Sequence, residues 1–225
     1  MVVKLPKLYA IVDRETLDVR GVGVRAFTEE LREGGVQLVQ YRDKKNGPRE
    51  VLRAAAEIAL VFEGASATLI LNDRADLAAL LGWGVHVGQG DLSVADARIV
   101  LGAGEERERE GRKGHAKDAK GWVGISTHDE KQLAAAAVSE ADYVAIGPVF
   151  ATATKSDAEA VVALEGVRRA RALTRKPLVA IGGIGLGNVR AVVEAGADSV
   201  ALISGLLVDG RRVRDVARDF LGILG

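Results

Sequence analysis

Short apolar runs rich in β-branched residues alternate along the chain with longer stretches of helical spacing. The runs are LYAIV from Leu8, VQLVQY from Val36, TLIL from Thr68, GVHV from Gly84, WVGIS from Trp122, YVAIG from Tyr143, LVAIG from Leu178 and SVALIS from Ser199. Between them, segments such as PREVLRAAAEIALVF, DEKQLAAAAV, LEGVRRARAL and GNVRAVVEAG repeat apolar residues every three to four positions, as amphipathic helices do. No Asn-Gly or similar hairpin turn joins one run directly to the next, so the strands are expected to be parallel. Eight strand-helix units in 225 residues fit an α/β chain folded as a single (β/α)8 TIM barrel. An open doubly wound sheet would more often stop at about five or six strands.

Composition narrows the picture without changing it. A chain of this length buries roughly 70% of its unfolded surface and, having no Cys, relies on neither disulfides nor thiolate metals. Lys+Arg 31 balance Asp+Glu 31, which argues against a general electrostatic hold on nucleic acid or an anionic membrane while leaving a local grip on a small anion open. The start lacks the form of a signal peptide and no run approaches a span of about 20 apolar residues; a cytoplasmic location is the expectation. Residues 1–225 read as one domain. One segment, 104–121, is densely charged and mixed in sign; it is expected to be a mobile surface loop on the face away from the active site, with His115 a solvated residue.

A barrel of this kind carries its chemistry on the loops that follow the strands. Gln40, Arg42 and Lys44 alternate through the end of the second strand and would share one face, a fork and a mobile charge suited to a diphosphate; solvated charges at a strand end are the competing reading. Asn72 and Asp73 end the third strand, and Asp91 follows the fourth. Neighbouring strands lie about 4.8 Å apart, so Asp73 and Asp91 can approach one Mg2+, unless each merely caps the helix after it. His86, alone in the alternation GVHV, reads as a hydrogen-bonded core residue. Ser126 either caps the next helix or meets a substrate. After the sixth strand, Thr152, Thr154 and Lys155 ride a long connection suited to a lid. Gly182 and Gly183 after the seventh strand, with Ile203 and Ser204 after the eighth, suit a backbone phosphate cup or simply tight turns.

The segments QYRDK, NDRAD, GVHVGQGD, GISTH, GPVFATATK, AIGGI and ALIS, in this order from about Leu8 to Leu207, resemble the thiamine-phosphate synthase (thiamine-phosphate pyrophosphorylase) family. The resemblance implies transfer of the pyrimidine methyl group of 4-amino-5-hydroxymethyl-2-methylpyrimidine diphosphate onto the nitrogen of a thiazole phosphate, with Mg2+ assisting dissociative loss of diphosphate. By position it assigns Gln40, Arg42, Lys44 and Asn72 to the pyrimidine diphosphate, Asp73 and Asp91 to Mg2+, and Ser126 to the aminopyrimidine. It further assigns Thr152 and Thr154 to the thiazole phosphate, Lys155 to the diphosphate, and Gly183, Ile203 and Ser204 to the second phosphate. Arg42, Lys44, Ser126 and Lys155 would then be the catalytic set. The implied partners are these two substrates, with no nucleic acid or membrane; a homo-oligomer stays open. Three departures stand out: the charged insertion is long, LLGWGVH is about one residue short, which would shift the register of the fourth strand, and Ala151 stands where Pro is common. Two other readings remain, a thiazole tautomerase of the same family using His128 as proton carrier, and a noncatalytic barrel that binds a thiamine precursor and regulates a partner.

Overall fold

The computed structural model describes residues 4–109, 121–152 and 160–225. The strands are β1 Leu8–Asp13, β2 Leu38–Arg42, β3 Thr68–Asn72, β4 Gly84–Val87, β5 Val123–Thr127, β6 Tyr143–Ile146, β7 Leu178–Ile181 and β8 Ser199–Leu202. They are parallel and close into one barrel in sequence order, with Leu8 of β1 opposite Val200 of β8 at the seam. Around it lie α1 Arg14–Arg20, α2 Val24–Glu33, α3 Pro48–Val61, α4 Ala75–Leu81, α5 Val94–Arg109, α6 Glu130–Val138, α7 Ala163–Leu173, α8 Val189–Glu194 and α9 Val213–Leu224. Each expected run yields a strand, because alternate residues face two different apolar layers: on β1, Leu8, Ala10 and Val12 meet the helices, while Tyr9 and Ile11 face the barrel interior.

The charged segment departs from expectation at its start. Helix α5 continues to Arg109, so residues 104–109 are helical rather than loop, consistent with the good helix propensity of Glu and Arg; residues 110–120, including His115, lie outside the described residues. Shortness of LLGWGVH leaves β3 and β4 paired without a bulge, Ile70 opposite Gly84 and Asn72 opposite His86. Among the described residues no helix is long and apolar enough to cross a membrane.

The interior is unusually polar for a small barrel: Tyr9, Gln40, His86 and Tyr143 are all buried there. Gly124 makes this possible. A Cβ at that position would lie 2.0 Å from the Tyr143 ring carbon Cζ, so Gly124→Ala must displace a fully buried tyrosine. Overpacking of this kind costs about 1–3 kcal/mol, and the urea midpoint of Gly124→Ala is expected to fall accordingly; an unchanged midpoint would show that the ring is free to move.

Candidate active site

The first corner of the barrel mouth is built by β1, β2 and β3. Register places Asp13 opposite Arg42, and Arg42 Nη1 donates to Asp13 Oδ2 at 2.5 Å. Asp13 is 2% exposed and also accepts from the Thr16 backbone N–H at 2.9 Å and the Thr16 hydroxyl at 2.6 Å. It thus caps α1 and anchors the guanidinium together. The sequence reading missed Asp13; its only signal is a carboxylate at the end of β1, level with an arginine on the next strand. Asp43, by contrast, is turned away. Although burial works against it, bonds from Asn46, Tyr41 and Lys45 hold its carboxyl below the usual range, and it staples the β2–α3 connection.

Lys44 Nζ lies 3.1 Å from Asp73 Oδ2. Asp73 adopts φ 61, a left-handed conformation that non-glycine residues seldom take and that Asp tolerates better than most. Its carboxylate is thereby brought to face that of Asp91. Neither residue caps a helix. The N-cap of α4 is Arg74, without a side-chain bond, and ahead of α5 the Ser93 hydroxyl accepts from the Asp96 N–H. Asp91 instead accepts from the Gly88 N–H at 2.8 Å. Burial, and after it the facing Asp91, raises the Asp73 carboxyl above the usual carboxylate range, with Lys44 pulling the other way.

Two facing carboxylates need a proton or a cation between them. A pair of carboxylates with open positions beside it suits a hard cation that keeps waters and takes substrate oxygens, which is the habit of Mg2+. The donor set fits.

From this corner a narrow cavity of about 30 Å³, lined by Gln40, Arg42, Asn72, His86 and Ser126 among others, leads to a larger one of about 200 Å³. Ser126, Ala145, Ile181, Ala201 and Ile203 line both. Ser126 does not cap α6, since Asp129 does so by accepting from the Gln132 N–H. Its Oγ instead lies 2.9 Å from His86 Nε2, and its carbonyl accepts from Gln89 Nε2 at 2.6 Å.

The larger cavity is lined by His128, Thr152, Gly183, Ile203 and Ser204. Gly183 has φ 63, and a Cβ there would lie 2.6 Å from the Ala151 carbonyl oxygen, so only glycine lets this loop pass. Asn188, which the sequence reading also missed, clamps the loop. Its Oδ1 accepts from the Gly185 N–H at 2.8 Å and its Nδ2 donates to the Gly183 carbonyl at 3.1 Å. On the opposite wall His128 Nδ1 is 2.7 Å from the Gly147 carbonyl, fixing where the long β6–α7 connection departs. Thr154 and Lys155 lie outside the described residues.

The family model described as "Thiamine monophosphate synthase" matches residues 8–106 and 108–206. The chain is 46% identical to a thiamine-phosphate synthase of Koribacter versatilis, over 98% of this chain and 97% of the relative. To that of Chloroflexus aurantiacus it is 37% identical, over 89% and 85% respectively. Among solved structures, a thiamine phosphate pyrophosphorylase from Pyrococcus furiosus superposes with TM-score 0.78 at 29% identity, covering 97% of this chain and 95% of that one. A family match spanning nearly the whole barrel, and relatives alike over nearly their full lengths, lead to one conclusion: the chain belongs to the thiamine monophosphate synthase family.

Proposed function

We propose that this enzyme is a thiamine-phosphate synthase, joining 4-amino-5-hydroxymethyl-2-methylpyrimidine diphosphate to a thiazole phosphate and releasing diphosphate. The observation that carries the reading is the facing pair Asp73 and Asp91 beside Lys44, next to a narrow cavity lined by Arg42 and Asn72 that shares walls with a separate glycine-lined one. One mouth then offers room for two anionic substrates. In the reaction the bond between the pyrimidine methylene and its diphosphate oxygen breaks, the electron pair leaves with diphosphate, and the thiazole nitrogen supplies the pair for the new C–N bond.

The protein's part is electrostatic and positional. Arg42, held from behind by Asp13, and Lys44 face the charge that grows on the leaving group. Asp73 and Asp91 would hold Mg2+, which when bound supplies further neutralisation of diphosphate. Asn72 and Gln40 bound the pyrimidine, and Ser126 stands where that pocket meets the second cavity. Apolar walls at Ala145, Ile181 and Ala201 keep water from the methylene cation while the thiazole is aimed at it. The loop of Gly183, the turn at Ile203 and Ser204, and the hydroxyls of Thr152 and Thr154 are assigned to the thiazole phosphate, and Lys155 to the diphosphate.

Mixing both substrates with Mg2+ and measuring diphosphate release tests the reading. Stoichiometric diphosphate and thiamine phosphate are expected; a tautomerase or a noncatalytic barrel would release none. Within this scheme Gly183→Ala forces a side chain into a left-handed, crowded site, a strain of about 1–3 kcal/mol. The KM for thiazole phosphate is expected to rise roughly tenfold or more with that for the pyrimidine diphosphate little changed; equal rises in both would place Gly183 outside the thiazole site.

A further inference from the structure

A continuous chain of hydrogen bonds crosses the barrel interior from β2 to β5. Gln40 Nε2 donates to Tyr9 Oη at 2.7 Å. Tyr9 Oη lies 2.9 Å from Tyr143 Oη, Tyr143 Oη lies 3.0 Å from His86 Nδ1, and His86 Nε2 lies 2.9 Å from Ser126 Oγ. Tyr9, Gln40, His86 and Tyr143 are buried. The rings are packed as well as bonded: His86 stacks on Tyr143 with centroids 5.6 Å apart, and Tyr9 meets Tyr143 edge-on at 6.0 Å.

One order of donors and acceptors follows on from the first bond and satisfies every member. With Tyr9 Oη accepting from Gln40, the order that keeps every hydrogen inside the chain sends the Tyr9 hydrogen to Tyr143. In that order Tyr143 Oη accepts this hydrogen and its own O–H points to His86 Nδ1, the bare nitrogen. The imidazole proton then sits on Nε2 and is given to Ser126, whose Oγ accepts it and turns its own hydrogen toward the cavity. Reversing one member alone would set two hydrogens or two lone pairs face to face, so the chain orients as a unit. Burial pushes both phenols up from their ordinary values, which keeps both as O–H donors near neutral pH.

Both ends of the chain, Gln40 and Ser126, line the narrow cavity, and in this order the Gln40 carbonyl oxygen serves as acceptor and the Ser126 hydroxyl as donor. We propose that Tyr143 is a positioning residue that, through Tyr9 and His86, sets this polarity and so selects a 4-aminopyrimidine over its 4-oxo counterpart. The inference rests on the pyrimidine reading above. A 4-aminopyrimidine offers an N–H donor beside a bare ring nitrogen, the complement of Gln40 and Ser126. A 4-oxopyrimidine offers a carbonyl beside an N–H, which opposes lone pair to lone pair and hydrogen to hydrogen. Polar mismatches of this kind discriminate far better than shape alone.

Two measurements test it. The first is the 15N spectrum of His86 in the ligand-free protein, with His115→Gln and His128→Gln used to identify its signals. A bare Nδ1 and a protonated Nε2 are expected near neutral pH; a protonated Nδ1 would overturn the proposed order. The second is calorimetric binding of 4-amino-5-hydroxymethyl-2-methylpyrimidine and of its 4-oxo analogue, both without diphosphate, so that the electronics of ionisation play no part. The native protein is expected to favour the amino compound by roughly 100-fold, and Tyr143→Phe, which removes one oxygen and keeps the ring, to shrink that preference about tenfold or more. An undiminished preference in a folded Tyr143→Phe protein would refute the role of Tyr143. If neither compound bound the native protein, the pyrimidine reading and the selectivity built on it would both fail, while the His86 spectrum would still decide the order of the chain.

Discussion

Asp73→Asn is expected to lower kcat by roughly 100- to 1,000-fold and to abolish the response of the remaining activity to Mg2+. Asparagine is the informative replacement because it tolerates the left-handed φ of 61 at this position, whereas alanine would add backbone strain to the loss of the carboxylate. The same variant carries a stability signature of opposite sign. Burial and the facing Asp91 raise the Asp73 carboxyl above its usual range, so its ionised form is less favourable in the folded chain than in the unfolded one. Metal-free Asp73→Asn should therefore unfold at a higher temperature than the metal-free native protein near neutral pH. That gap should narrow as pH falls through the raised value and disappear below the ordinary carboxylate range, where Asp73 is protonated in both states. Saturating Mg2+ should stabilise only the native protein. Equal Mg2+ stabilisation of both proteins would take Asp73 out of the cation site.

The second large effect is expected at Arg42. Arg42→Met removes the fork that faces the leaving diphosphate and should reduce kcat/KM by roughly 100- to 1,000-fold. It also strands Asp13, which is 2% exposed and loses its 2.5 Å partner. Breaking a buried pair from one side costs about 3–5 kcal/mol, here lessened by the two bonds from Thr16. Adding Asp13→Asn to Arg42→Met should restore much of the stability, since Asn still caps α1, but none of the activity. Recovery of turnover in the double variant would show that Arg42 serves only to neutralise Asp13.

These two residues illustrate what the sequence discloses and what it withholds. The eight strands are legible because buried parallel strands read as short β-branched runs, and the polar residues at their ends are legible because the barrel places chemistry there. The partner of Arg42 was not, since nothing in LYAIVD shows that its last residue falls opposite Arg42; that follows only from the register between β1 and β2. Nor does a string of letters reveal that Asp73 takes a left-handed turn toward Asp91 rather than capping α4, because short polar residues suit both roles. His86 reads as a core histidine and is one, yet it is bonded to Ser126 as well as to Tyr143. Nor does the run WVGIS disclose that the space beside Gly124 is filled by the Tyr143 ring. The boundary of α5 fails for a different reason: charge density marks solvation, and solvated Glu and Arg extend a helix as readily as they populate a loop.

Crystals grown with inorganic diphosphate and Mn2+, whose anomalous scattering marks the cation, test the central claim most directly. An ion shared by Asp73 and Asp91, with diphosphate oxygens against Arg42 and Lys44, is the predicted result. Diphosphate lodged only in the cavity of Gly183 and Ser204, with no ion joining the two carboxylates, would contradict it.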